Sequence, residues 1–248
     1  MKNKKDKILL LGGSGNLGSS IIKSKIFKNL YAPNKKILNI EDSKSIAKIL
    51  NRMNIKTIIN CAAIARIKEC EANPSKAIKV NVDGTFNLVK EVLKKKNNLR
   101  FIHISTDAVY KSTNGNYSEK SELWPHNNYD WTKMTSEYLV KFLKNYVIIR
   151  TRFYNKDKIK YKKSANDIFT SKMEVNELVD SIKLLLYSNF IGIVNVGSKR
   201  QSDYHNYKKH KKDIMPTKRI KLIKKLKFFM AKDASMNLNL FNKLKKNG

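Results

Sequence analysis

The stretch "KILLLGGSGNLGSSI" constrains the fold more than any other part of this chain. An apolar run, Ile8 to Leu11, leads straight into Gly12, Gly15 and Gly18 at three-residue spacing, and the helix-like segment "NLGSSIIKSKIF" follows. A short unbroken apolar run reads as a strand buried on both faces, the pattern of a parallel sheet. Glycine at the mouth of the helix lets the backbone turn tightly and come close to a pyrophosphate, whose charge rests on the helix N-terminus. The bland alternative is a plain strand-turn-helix that happens to use glycine. The context favours dinucleotide binding at Gly12, Gly15, Asn16, Leu17 and Gly18.

The alternation continues along the chain. "IKTIINCAA" is a strand, "PSKAIKVNVDGTFNLVKEVLKKK" a long helix and "RFIHIST" a strand; "YDWTKMTSEYLVKFLKN" is a helix and "YVIIRTRFY" a further strand. Strands alternating with helical segments imply an α/β fold, a Rossmann-type doubly wound parallel sheet with crossover helices. After Tyr154 the texture changes. "NKDKIKYKKSAND" is a polar, lysine-rich loop, "EVNELVDSIKLLLYS" an amphipathic helix and "GIVNVG" a short strand. From Lys199 onward the chain is strongly basic, with short apolar clusters such as "KLKFFMAK", and should carry one or two helices laid on the main domain. The expected division is residues 1–154 for the nucleotide-binding domain and 155–248 for a small, trimmed C-terminal lobe with its basic tail.

Bulk properties exclude several classes. Hydrophobic residues make up 41%, which supports a real core and argues against global disorder. Cys61 and Cys70 are too few for a disulfide framework and show no metal-ligand spacing, so a reducing cytoplasm is the expected location. The start "MKNKKDKILLLGG" has a basic front, but its apolar run is too short for a signal peptide or a membrane span. The net charge of +32 attracts polyanions of any kind. Only seven of the 52 basic residues are arginine, the residue that phosphate and base readers favour, and no nucleic-acid-binding signature is present. Compositional drift explains the charge, and specific nucleic-acid recognition is not expected.

The segment "NNYDWTKMTSE" places Tyr129 and Lys133 one turn apart on the same face of a helix. Trp131, Met134, Tyr138 and Phe142 recur at helical spacing on roughly the opposite side, as a stripe suited to the core. Upstream, "HISTDAVY" ends a strand, so Ser105, Thr106 and Asp107 fall at the carboxyl edge of the sheet, where open α/β sheets bind ligands. A hydride delivered to a carbonyl leaves an alkoxide that must be protonated. Tyrosine can supply that proton, a neighbouring ammonium favours the phenolate left behind, and a threonine hydroxyl can orient the carbonyl. Lys133 can also bind the nicotinamide ribose, so Tyr129 and Lys133 are expected to touch the cofactor as well. Tyr-x-x-x-Lys alone is common by chance; combined with the glycine loop and the threonine at a strand end, it points to catalysis by Thr106, Tyr129 and Lys133.

The choice of nucleotide turns on "NLYAPNKKILNIED". NAD sites usually carry an acid at the end of the second strand. The expected strand end, near Tyr31 to Asn34, has none, and Lys35 and Lys36 follow. An ammonium there suits the 2′-phosphate of NADPH, which is favoured, with NADH as the alternative.

These pieces resemble the extended short-chain dehydrogenase/reductase superfamily, most closely the dTDP-4-dehydrorhamnose reductase group. The motifs that carry the resemblance are "GGSGNLG", "LNIEDSKSI", "IINCAAIARIKECEANPSKAIKVNVDGT", "IHISTDAVY" and "YDWTKMTSE", in family order over residues 8 to about 152. The resemblance implies NADPH or NADH and reduction of the 4-keto group of a nucleotide-linked 6-deoxy sugar, in the synthesis of surface polysaccharide. By matching positions it assigns the catalytic trio to Thr106, Tyr129 and Lys133, the adenosine side to Asn60, Ala62 and Ala63, and the adenine to Ile40 and Glu41. It also gives Asn81 the task of fixing loops around the cofactor. Related 4,6-dehydratases carry an Asp-Glu pair after the threonine, whereas here Asp107 is followed by Ala108, which argues for simple reduction. Past Arg152 the chain passes through only "FYNKDKIKYKKSAND" before "IFTSKMEVNELVDSIKLLL", so the substrate lobe is shorter than the family's. Two further readings use the same residues: an NADP-holding regulatory subunit, and a sugar-nucleotide epimerase with tightly held NAD. The exposed helices could support a homodimer, with "FNLVKEVLKKK" as a candidate face whose apolar stripe is expected to be buried within the domain.

Overall fold

The computed structural model describes residues 6–95, 98–226 and 229–246. Met1 to Lys5 of the basic start, Lys96 at the end of the expected long helix, and Lys227 and Phe228 of the "KLKFFMAK" cluster lie outside the described residues.

Along the chain, β1 (Lys7–Leu11) leads through the glycine loop into α1 (Asn16–Ser24), then β2 (Leu30–Tyr31), α2 (Ser43–Arg52) and β3 (Ile55–Asn60). There follow α3 (Ile67–Ala72), α4 (Pro74–Ile78), α5 (Gly84–Leu93), β4 (Arg100–Thr106), α6 (Asn128–Val140) and β5 (Tyr146–Thr151). The second part holds β6 (Phe153–Tyr154), β7 (Lys163–Ala165), β8 (Phe169–Thr170), β9 (Met173–Glu174), α7 (Val175–Tyr187) and β10 (Gly192–Val196). It closes with β11 (Gln201–Ser202), α8 (Asp203–Lys208), β12 (Met215–Thr217), α9 (Arg219–Leu226), β13 (Asp233–Ala234) and α10 (Asn239–Lys246).

Six strands form one parallel sheet in the order β10-β5-β4-β3-β1-β2. Successive side chains of a strand point to opposite faces, and both faces here are apolar. Ile8 and Leu10 join Ile59, Ile102, Val147 and the inner side of α7 in one core; Leu9 and Leu11 join Ile58, Phe101, Ile148 and the inner sides of α2 and α5 in the other. Each fully buried Leu or Ile contributes roughly 1.5–3 kcal/mol, so the unbroken apolar strands require helices on both sides. Although they lie beyond Tyr154, α7 and β10 join the main core and sheet, with β10 pairing parallel to β5. Among the described residues the small strands pair in three further sheets, β11-β8-β13, β12-β7 and β6-β9. The tail carries, among its described residues, three short helices, α8, α9 and α10, rather than one or two, and Phe241 of α10 is buried in the main core.

Two local departures bear on function. The expected single helix over residues 74–96 is interrupted by one wide turn, Lys79–Asp83, in which the hydrogen bonds span five residues. Such turns inside helices often sit at functional sites, and this one delivers Asn81 inward. The second departure corrects the expectation for α6. Trp131, Tyr138 and Phe142 are 53%, 52% and 71% exposed, so they do not line the core; of that stripe only Met134 packs inward, against Val109, Tyr110 and Met236. The buried face of α6 is instead mostly polar: Asp130, Thr132, Lys133, Ser136 and Glu137, with Val140 alone apolar at its end. The reason lies in what it meets, since His103 and Ser105 of β4 and Arg150 of β5 supply partners for Ser136 and Glu137 on the sheet side. On α5, Leu88, Val89 and Val92 are buried as expected, while Phe86 and Leu93 remain exposed beside Phe142.

Candidate active site

Gly12 adopts φ +76°, and a Cβ there would come within 2.7 Å of the backbone of Cys61 and Ala62. A Cβ on Gly18 would lie 2.2 Å from the Gly12 carbonyl oxygen. Both positions therefore demand glycine, because the turn after β1 packs directly on the end of β3 and on the first turn of α1. Gly15 caps α1 without a side-chain hydrogen bond, and no acid stands in the first turn, so the amides there are open to an anion. Beside this loop lies a cavity of about 470 Å³, lined among others by Gly12, Gly15, Lys35, Ile40, Glu41, Ala62 and Ala63. The cradle and the cavity fit a dinucleotide: glycine backbone for its phosphates, and a pocket between β1, β2 and β3 for its adenosine.

Lys35 forms an ion pair with Glu41, and Lys79 stands 3.9 Å from the same carboxylate, so two ammonium groups flank the one acid that lines this cavity among the described residues. Leu17, Gly18, Asn60 and Asn81 do not line the cavity; they lie buried behind it. Asn81 accepts from the Ile64 amide at 2.7 Å and donates to the Ile64 carbonyl at 3.0 Å and to Thr132 Oγ1 at 2.9 Å. It thereby ties the loop after β3 to α6. Asn16 stays at the mouth of α1, where Lys158 Nζ reaches its Oδ1 at 3.3 Å from the short loop after β6.

Thr106 ends β4 and caps the single turn Asp107–Val109, its Oγ1 accepting from the Ala108 amide at 3.1 Å. Tyr129, in the first turn of α6, brings its hydroxyl to Thr106. Burial pushes the phenol above its ordinary range, while the Thr106 hydrogen bond and the Arg152 charge pull it down and the Asp130 and Asp107 carboxylates push it up. Lys133 is almost wholly buried, and its Nζ lies 3.3 Å from His103 Nε2. Burial pushes its ammonium down to about 8, with Glu137 and Cys61 opposing. His103 is held well below its usual value by burial, and further by Lys133. Tyr129 and Thr106 are thus brought together, while Lys133 turns toward His103.

Sequence reasoning passed over three residues of this region. His103 reads as an ordinary strand position in "RFIHIST", Asp130 as a helix-start acid, and Arg152 as the end of a strand. The available signal was a charged or titratable group inside an otherwise apolar stretch. Asp130 is buried, its Oδ1 has no partner, and burial pushes its carboxyl up to about 7.

A parallel six-stranded sheet with helices on both faces and a glycine loop at the end of β1 defines a Rossmann-type α/β protein. Within that class the chain belongs to the family of the RmlD substrate binding domain, whose model matches residues 6–180. It is 33% identical over 140 residues to a dTDP-4-keto-6-deoxy-D-glucose reductase of Streptomyces niveus, covering 54% of this chain and 47% of that protein. It is 31% identical over 140 residues to methionine adenosyltransferase 2 subunit beta of Pongo abelii, covering 53% of this chain and 41% of that one. In these matches the chain spans about half the length of its curated relatives or less. Among solved structures it is similar to dTDP-4-dehydrorhamnose reductase from Bacillus anthracis in complex with NADP, with a TM-score of 0.85 and 21% identity over 99% of this chain and 93% of that one. At that identity the likeness is one of fold. No helix among the described residues is long and apolar enough to cross a membrane.

Proposed function

We propose that this chain is an NADPH-dependent reductase of the 4-keto group of a nucleotide-linked 6-deoxy sugar, acting in the cytoplasm in the synthesis of surface polysaccharide precursors. The observation that carries the reading is Tyr129 beside Thr106 at the carboxyl edge of the same parallel sheet whose β1 ends in the glycine loop. Lys35 and Lys79 around Glu41 favour a nucleotide with an extra phosphate on the adenosine side.

When bound, the nicotinamide supplies a hydride to the carbonyl carbon. Thr106 holds the carbonyl oxygen through its hydroxyl. Tyr129, whose raised phenol keeps its proton at neutral pH, donates that proton to the oxygen as negative charge develops. The phenolate left behind is stabilised by the Arg152 charge, and Lys133, one turn along α6 with its ammonium at His103, adds a second positive charge on the same helix. Ala108 puts no second acid after Asp107, which suits reduction rather than loss of water. A regulatory subunit would have no evident use for the full set of Thr106, Tyr129 and Lys133. The exposed Phe86 and Leu93 on α5 and Phe142 just past the end of α6 suit a homodimer.

The test is loss of NADPH absorbance with a panel of nucleotide-linked 4-keto-6-deoxy sugars. Wild type should turn over at least one, and Tyr129→Phe should lose roughly 10²–10⁴-fold in kcat with NADPH affinity retained. Binding of NADPH without turnover of any sugar overturns the reductase reading.

A further inference from the structure

Two arginines leave the carboxyl end of β5, and they are used differently. Arg150 is 2% exposed and engages all three of its nitrogens. Its Nε and Nη2 hold Glu137, with Nη2 to Oε2 at 2.7 Å, while Nη1 donates to Tyr110 Oη at 2.9 Å and to the Glu119 carbonyl at 3.2 Å. Arg152 engages only one. Its Nε donates to both oxygens of Asp107, each at 2.8 Å, and among the described residues its two terminal nitrogens have no protein acceptor. Its side chain keeps 30% of its surface open, whereas Asp107 has none.

An arginine that serves only to neutralise a carboxylate normally meets it with its fork, two parallel N–H groups on two oxygens. Here the fork points away from the carboxylate, and Asp107 serves to hold it so. The place it occupies is specific. Thr106 Oγ1 is 3.4 Å from the same Asp107 Oδ1 that Arg152 holds, so the guanidinium lies one carboxylate away from the threonine hydroxyl beside Tyr129. Lys172, a second buried cation whose charge acts on Asp107, is already taken, by Asp203 at 2.8 Å and by Tyr207 Oη at 2.8 Å. Arg152 stays ionised, since Asp107 and Asp203 outweigh the burial that opposes its charge.

We propose that the open fork of Arg152 binds an oxyanion of the sugar-nucleotide substrate, beside the carbonyl held at Thr106 and Tyr129. The inference rests on the reductase reading for the class of ligand and adds to it an anion-recognition residue. Two sources present the required oxyanion: the diphosphate that every nucleotide-linked sugar carries, and the carboxylate of a uronate standing in place of the 6-deoxy sugar. Planar, bidentate pairing suits either.

The experiment is calorimetric titration of dTDP, dTDP-glucose, UDP-glucose and UDP-glucuronate into wild type, Arg152→Met and Arg152→Lys, each first shown to be folded by thermal unfolding. Arg152→Met should weaken binding by roughly tenfold or more, the size of a lost charge-assisted hydrogen-bond pair. Arg152→Lys keeps the charge beside Asp107 and should fold even if the Met variant does not; lacking the fork, it should still bind at least severalfold more weakly than wild type. Loss for UDP-glucuronate alone assigns the fork to a sugar carboxylate. Equal loss for all four probes, dTDP included, assigns it to the diphosphate. Both variants binding every probe as wild type does overturns the inference. Turnover of keto sugars by wild type separates the two readings: if it persists while Arg152 proves indifferent, the anion site falls and the reductase stands. A clear Arg152 effect in a protein that never consumes NADPH leaves the site standing and removes the reductase.

Discussion

Lys133 Nζ lies 3.3 Å from His103 Nε2, and both side chains are sealed from solvent. Asn60 sets the imidazole. Its Oδ1 takes the Ala62 amide at 3.2 Å, so its Nδ2 faces His103 Nδ1, 3.3 Å away. The ring nitrogen facing Asn60 accepts, which leaves the imidazole proton on Nε2, directed at Ser136 Oγ 3.0 Å away. Lys133 therefore gains no acceptor from the ring, in keeping with an ammonium that burial pushes down to about 8.

A depressed lysine has a defined sign in stability. Between pH 8 and 10.5 the unfolded chain holds the proton and the folded chain does not, so this group makes stability rise with pH across that window. Below it, the folded chain carries the full cost of a buried ammonium. Lys133→Met should raise Tm at pH 7 and abolish turnover, and its advantage over wild type should shrink between pH 8 and 10.5. Thermal unfolding by circular dichroism across that range checks this; a variant less stable than wild type at pH 7 contradicts it.

Lys158 reaches Asn16 at the mouth of α1, where the phosphates of a dinucleotide would rest. It is exposed, so Lys158→Ala should leave Tm unchanged while weakening NADPH binding by roughly two- to fivefold, the range of an exposed ion pair. Fluorescence titration of NADPH at low and high salt measures it, and the difference from wild type should fade as salt rises.

Glu137 answers Arg150 where neither reaches water, and it also accepts from Ser105 Oγ at 2.5 Å. Glu137→Ala leaves a buried guanidinium without its counter-ion and should cost about 3–5 kcal/mol, read as a lower urea midpoint. Replacing both partners by apolar residues should recover part of that loss.

Gly12→Ala puts a Cβ against the backbone of Cys61 and Ala62 at a positive φ. Strain of this kind costs of order 1–3 kcal/mol before any clash is relieved. The variant should unfold at lower urea and lose NADPH affinity together, since relief requires the turn after β1 to move off β3.

The sheet was legible because its strands are apolar on both faces, a pattern that few other arrangements share. The glycine loop was legible because close backbone approach leaves no residue but glycine at Gly12 and Gly18. α6 was misread for a physical reason: hydropathy locates a buried face only when the partner surface is apolar, and here the partners are His103, Ser105 and Arg150. Arg152 was passed over because its meaning depends on which of its nitrogens are engaged, a property of three dimensions. The wide turn at Lys79–Asp83 likewise leaves no mark in a helical pattern that continues on both sides of it.

The inverted face of α6 also orders events in time. Collapse gathers apolar surface first, and α6 leaves its two large aromatic residues, Trp131 and Tyr138, on the side that ends in solvent, while its inner side is mostly polar. Its proper seat exists only after β4 and β5 lie side by side and bring Ser105 and Arg150 within reach of Glu137. The catalytic helix should therefore dock late, and conservative substitutions at Ser136 and Glu137 should speed unfolding while leaving the folding rate nearly unchanged. The residues of the reaction centre would then be the last part of the molecule to take their places.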